Sequence, residues 1–249
     1  MRENQIALQL YTVRRPAAED LAGTLGAVAD AGYRNVELAG LPELPADRIA
    51  ALLSEHGLRP IASHVPLDDL RADVNAVAGR MATLGCPRVI VPWLPDGDRA
   101  SLDGARRLAE ELAGYRQALA AQDLRLGYHN HAFEFDRLDG STLWDALLAG
   151  LPRELEFEID VYWAAFAGRD PIAEIDATRG RVKLLHMKDM AREPEPHDAP
   201  AGQGSLPFPE IIAAGDAAGV EWYIVEQDEP SDPLADVATS LRYLRSLAG

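Results

Sequence analysis

Residues 182–189 read VKLLHMKD. An apolar run leads straight into His186, Met187, Lys188 and Asp189, the pattern of a buried strand that delivers reactive side chains at its carboxyl end. Three other apolar runs end in the same manner. Residues 124–134, LRLGYHNHAFE, end at Glu134; residues 155–160, LEFEID, end at Asp160; residues 222–226, WYIVE, end at Glu226. Three carboxylates and one imidazole, each closing its own run, make the ligand set of a divalent metal: Glu134, Asp160, His186 and Glu226.

Working outward from that stretch, the chain alternates strand and helix. Strands are expected at 5–10, 34–38, 59–64, 88–91, 124–129, 155–160, 182–186 and 221–226. Between them lie helical patterns such as Leu70, Val74, Val77, Ala78 and Met81, with Gly32, Gly57 and Gly85 as stops. Asp68, Ser141, Asp170 and Asp232 are the expected N-caps, and Pro171, Pro209 and Pro233 open helices. Alternation of this kind gives a parallel sheet with crossover helices. Eight units in 249 residues fit a single-domain α/β (β/α)8 TIM barrel spanning 1–249. A doubly wound sheet would carry a glycine-rich phosphate turn after its first strand, and LQLYTVRR has no glycine. The longest gap between elements, 187–206, is expected to be a lid over the site.

A barrel collects its chemistry at the carboxyl ends of its strands, so the four ligands, on strands five to eight, should converge. A donor set rich in oxygen favours Mn, with Mg, Co or Zn as other choices, and open positions for substrate oxygens. The formal charge of −16 argues against nucleic acid and anionic membrane partners. The single cysteine, Cys86, rules out an intrachain disulfide and points to a reducing, cytoplasmic setting. The first ten residues, MRENQIALQL, lack the pattern of a signal peptide.

The chain resembles the xylose isomerase-like TIM barrels known as sugar phosphate isomerases/epimerases. LQLYTVR (8–14), VELAG (36–40), YHNHAFEF (128–135), EIDVYWA (158–164), LHMKDM (185–190), GQGSLPF (202–208) and IVEQD (224–228) carry the resemblance, which covers the whole chain. By position it implies the same metal ligands, Glu134, Asp160, His186 and Glu226. It further implies that Glu134 and Glu226 exchange the proton on a carbon next to a metal-bound carbonyl, through an enediolate. Trp163 stands where the family's ketose 3-epimerases carry a histidine. With the HNH run and Lys188, this brings the chain closer to relatives that dehydrate keto-inositols or eliminate from 3-keto-glycosides. The expected function is therefore a metal-dependent sugar isomerase/epimerase, with such a lyase as the alternative. An AP-endonuclease-like nuclease is the remote one, disfavoured by the charge. A small sugar or keto-sugar is the expected partner, and a homo-oligomer is compatible.

Other residues are candidates by position. His131, nearer the expected rim than His129, is an added acid/base; His129 reads as a hydrogen-bonded core histidine. Lys188 would hold a substrate oxygen or pair with an acid such as Asp189. Glu37 and His64 end strands on the other half of the mouth, and Tyr11, Trp93 and Trp163 could stack on a sugar face. His56 and His197 read as surface positions.

Overall fold

The computed structural model describes residues 1–249. Eight parallel strands close into a barrel: β1 (Ile6–Gln9), β2 (Asn35–Leu38), β3 (Arg59–His64), β4 (Arg88–Val91), β5 (Arg125–His129), β6 (Glu156–Asp160), β7 (Val182–Met187) and β8 (Trp222–Val225). Each strand pairs with its sequence neighbours, and β8 closes on β1. The expected strands are present within one or two residues at each end. The longer helices alternate with the strands and wrap the outside.

Two apolar layers follow from the strand period of two. Outward residues of the strands pack against the helices in one cluster of 57 buried residues, among them Leu8, Val36, Val89, Phe157, Leu185 and Val225. Inward residues form a smaller plug, with Ala7, Ile61, Ile90, Leu184 and Ile224. The plug divides the barrel interior into two polar ends. At the amino-terminal end, Arg88 is 2% exposed and its Nε lies 2.8 Å from Glu156 Oε2. At the carboxyl-terminal end lie the candidate site residues.

Some local expectations are corrected. The first helical stretch breaks at Asp20, whose side chain accepts the Gly23 N–H and caps Leu21–Ala31. Asp68 lies in the first turn of Leu67–Leu84, with Pro66 at the N-cap. Thr142, not Ser141, caps Leu143–Gly150, its side chain accepting the Asp145 N–H, and both residues pair in a small hairpin with Arg137 and Leu138. Asp170 and Asp232 cap their helices as expected.

The segment after β7 is more ordered than the expected lid. Asp189–Ala191 pairs antiparallel with His197–Ala199. The buried Asp189 carboxylate then accepts N–H groups from Gly202 and Gly204 at 2.9 Å and from Leu206 at 3.1 Å. Gly204 is required there, since a Cβ would sit 2.3 Å from an Asp189 oxygen. Asp198 accepts the N–H groups of Asp228 and Glu229, tying the hairpin to the end of β8. The tip, 192–197, and the turn 202–205 are exposed. Asp189→Ala leaves those three amides without their acceptor. It should lower stability by about 1–3 kcal/mol in denaturant unfolding and speed proteolysis between 191 and 206. Unchanged cleavage there would show that the hairpin alone orders the segment.

Candidate functional site

Strand geometry brings the site together. On β6, alternate residues Glu156, Glu158 and Asp160 share the inward face. On β7, Leu184 and His186 do the same, and Lys188 follows. The register places Asp160 beside His186, His186 beside Ile224 and His129 beside Glu158. Gln9 sits beside Glu37, and its amide donates to Glu37 Oε2 at 3.0 Å.

His186 is the junction. Its Nδ1 lies 2.8 Å from Glu226 Oε2; its Nε2 lies 2.7 Å from Glu37 Oε2 and 3.1 Å from Glu158 Oε1. Glu158 Oε1 also receives His64 Nε2 at 2.8 Å and His129 Nδ1 at 2.9 Å. On the other side of His186, the Lys188 ammonium lies 3.1 Å from Asp160 Oδ2, 2.8 Å from Glu226 Oε2 and 2.9 Å from Asp228 Oδ2. The Asp160 contact is an ion pair without hydrogen-bond alignment, so Oδ2 counts as unpartnered. Glu37, Glu158, Asp160 and His186 are fully buried, and Lys188 and Glu226 nearly so.

Charge states follow from burial and these neighbours. Burial pushes Glu37 up to about 7, with Glu158 adding repulsion. Burial likewise raises Asp160 to about 6 against the pull of Lys188. For Glu226, burial is outweighed by Lys188 and His186, which hold the carboxylate well below its usual range. Burial opposes charge on His186 and Lys188, but the surrounding carboxylates win and keep both well above their ordinary values. Burial lowers His129 to about 4 and His131 to about 2, the latter helped by His129 and Lys188. His131 is therefore neutral near pH 7.

The structure brings Asp160, His186 and Glu226 together, with ligating atoms within 4.8 Å of one another. Glu134 stands apart from them. It lies five residues past the end of β5, on the short turn Phe133–Phe135. Its carboxylate accepts the Tyr128 hydroxyl at 2.7 Å and the His131 N–H at 2.8 Å, and burial raises it to about 7. His131 sits at the rim among Trp93, Phe133 and Trp163, with ring centroids 5.0, 5.8 and 5.6 Å away. His131 Nδ1 and Trp163 Nε1 are buried without partners. Trp93 is 47% and Tyr11 36% exposed, and the Arg14 guanidinium lies over the Tyr11 ring. A cavity of about 420 Å³ opens over the cluster, lined by Tyr11, His64, Trp93, His129, His131, Glu226 and Asp228 among others.

Two residues were missed by sequence reasoning. Glu158 is the acceptor for three imidazoles; its signal was a carboxylate two residues before Asp160, on the same face of the strand. Asp228, the third carboxylate around Lys188, sits two residues past Glu226. His129, read as a core residue, contributes a ring nitrogen to the cluster. A His/Glu/Asp cluster of this chemistry can hold a metal. Two groups satisfy the geometry, Asp160–His186–Glu226 and His64–His129–Glu158–His186, and His186 belongs to both.

With that geometry in place, the family is identified. The chain belongs to the xylose isomerase-like TIM barrel family, whose model matches residues 25–247. Two solved structures named sugar phosphate isomerase/epimerase, both from Parabacteroides distasonis ATCC 8503, superpose with TM-scores of 0.84. One is 27% identical and covers 96% of each chain; the other is 23% identical and covers 97% of this chain and 93% of that one. A structure named as the probable 3-DHS dehydratase AsbF from Bacillus anthracis shares the fold at 12% identity and a TM-score of 0.74, covering 98% of each chain. No curated protein matches the sequence. No helix is long and apolar enough to cross a membrane.

His186→Ala removes the donor common to both groups. Divalent metal content, measured by elemental analysis after Mn, Co or Zn loading, should fall by at least about tenfold while the far-ultraviolet circular dichroism stays unchanged. Full metal occupancy in that variant would reject a cation at this junction.

Proposed function

We propose that the protein is a metal-dependent sugar isomerase or epimerase that moves a proton on the carbon next to a substrate carbonyl. The observation that carries this reading is the His186 junction. Buried carboxylates and imidazoles surround it, and it sits beneath a sugar-sized cavity at the carboxyl ends of the strands. A divalent cation there, Mn being the favoured choice, supplies a Lewis acid that makes the C–H beside the carbonyl acidic.

The chain's own groups supply the rest. Glu226 faces the cavity and is held ionised by Lys188 and His186, so it can take a proton at neutral pH. His131 reaches the same cavity from the end of β5, three strands away around the barrel, and its neutral ring can hydrogen-bond a substrate hydroxyl. The unpartnered Trp163 Nε1, close to His131, is a donor suited to a substrate hydroxyl. Exposed Trp93 and Tyr11 offer ring faces at the rim. Lys188 stays with its carboxylates and places fixed positive charge beside the reacting region. Glu134 positions His131 by holding its backbone N–H.

One observation favours the lyase reading. Past Gly40, His64 and Pro66 the cavity continues into a groove of about 690 Å³ lined by Leu38, Leu41, Pro45 and Ile49. An apolar annexe suits a substituent larger than a monosaccharide, as on a 3-keto-glycoside. Ketoses, keto-inositols and 3-keto-glycosides incubated with the metal-loaded protein in deuterium oxide separate the two. Isomerisation gives deuterated sugar; elimination gives an unsaturated product and a released group.

Glu226→Gln keeps the shape but removes the basicity. Turnover and solvent exchange should fall by about 10²–10⁴-fold and stay low at saturating metal. Restoration by excess metal would reduce Glu226 to a ligand and reject it as the base.

A further inference from the structure

We infer that the cation sits on His64, His129, Glu158 and His186, with Glu37 beside them, and that Lys188 occupies the place among Asp160, Glu226 and Asp228 where the family resemblance would put it. The inference rests on the proposed cation dependence and assigns its ligands.

The Asp160–Glu226 side already holds a cation. The Lys188 ammonium is 1% exposed and lies within 3.1 Å of three carboxylates. An ion bound to the same Asp160 and Glu226 oxygens would stand against this ammonium in a dry interior, where like charges repel strongly. The third oxygen ligand that would offset the repulsion is missing, since Glu134 has both oxygens turned to Tyr128 and His131.

The other side has donors and no permanent cation of its own. Glu158 Oε1 has three ring nitrogens at 2.8, 2.9 and 3.1 Å, from His64, His129 and His186. Glu37 Oε2 lies 2.7 Å from His186 Nε2 and 3.7 Å from His64 Nε2. Adjacent ligands about 2.1 Å from a first-row metal ion lie ~3 Å apart at right angles, so the spacings around Glu158 Oε1 are those of one shared ion. The ligand atoms of His64, His129, Glu158 and His186 all lie within 4.8 Å of one another, with Glu37 beside that set. Three ring nitrogens on one carboxylate oxygen exceed its usual share of hydrogen bonds. Glu37 Oε1 and Glu158 Oε2 are buried with no hydrogen-bond partner. His64 and His129 line the cavity, which leaves the ion open to substrate from above. Three imidazoles and a carboxylate favour Mn, Fe, Co or Zn and disfavour Mg.

X-ray absorption of the Zn- or Co-loaded protein counts the imidazoles directly, and elemental analysis follows the ion in variants. Three imidazoles are expected, with metal content falling at least about tenfold in His64→Ala and Glu158→Gln and holding in Glu226→Gln. A single imidazole, with metal lost in Glu226→Gln and kept in His64→Ala, would overturn the ligand assignment and leave the proposed cation dependence standing. No first-row ion retained by the unmodified protein after loading would overturn both. The spectrum of the unmodified protein decides even where a variant fails to fold.

Discussion

Burying a surplus of negative charge is the constraint on which this barrel's mouth depends. Glu37, Glu158, Asp160 and Glu226 lie at or below 5% exposure, with Asp228 beside them. Permanent positive charge among them comes from Lys188 alone, joined by His186 when protonated. An unpaired carboxylate in such a place would cost several kcal/mol or lose its charge. Every contact described at the mouth can be read as a response: Gln9 donating to Glu37, three imidazoles facing Glu158, three carboxylates around one ammonium. Burial still raises Glu37 to about 7 and Asp160 to about 6, so these are the carboxyls least compensated by their neighbours.

Strand register makes this concentration possible. Side chains at equivalent heights on β5, β6 and β7 meet because His129 pairs with Glu158 and Asp160 with His186. The Asp189 knot and the Asp198 contacts then hold the polypeptide leaving β7 against the end of β8. That fixes Lys188 near Asp228. A segment that sequence length alone marks as a lid thus forms part of the wall, with its tip and the turn 202–205 exposed.

The fold was legible in the sequence because period-two runs and helical stripes alternate without interruption, and strand limits agree within one or two residues. Helix caps were less so. Choosing between Ser141 and Thr142, or between Asp68 and Pro66, depends on where the preceding chain arrives, which propensity does not record. In the site, Asp160, His186 and Glu226 were readable as strand ends. Glu134 was not placed correctly as a strand end, since β5 stops at His129 and the chain turns before Glu134. Glu158 and His129 were hidden for another reason. A single carboxylate or histidine within an apolar strand looks like a satisfied core residue until the neighbouring strands show what faces it.

Both ends of β6 carry a buried acid, and the contrast between them separates structural charge from functional charge. At the amino-terminal end Glu156 meets Arg88 and Arg125, and Arg88 also meets Glu221, so acids and guanidinium groups interlock. A hollow of about 700 Å³ lies there, larger than the cavity at the mouth. Yet none of the buried unpartnered side-chain atoms belongs to its lining residues. At the other end Glu37, Glu158, Asp160, His131 and Trp163 each keep such an atom. Paired charge stabilises the closed end of a barrel. Unsatisfied donors and acceptors gathered at the carboxyl ends of the strands are free to bind something else, and it is there that barrels of this architecture do their chemistry.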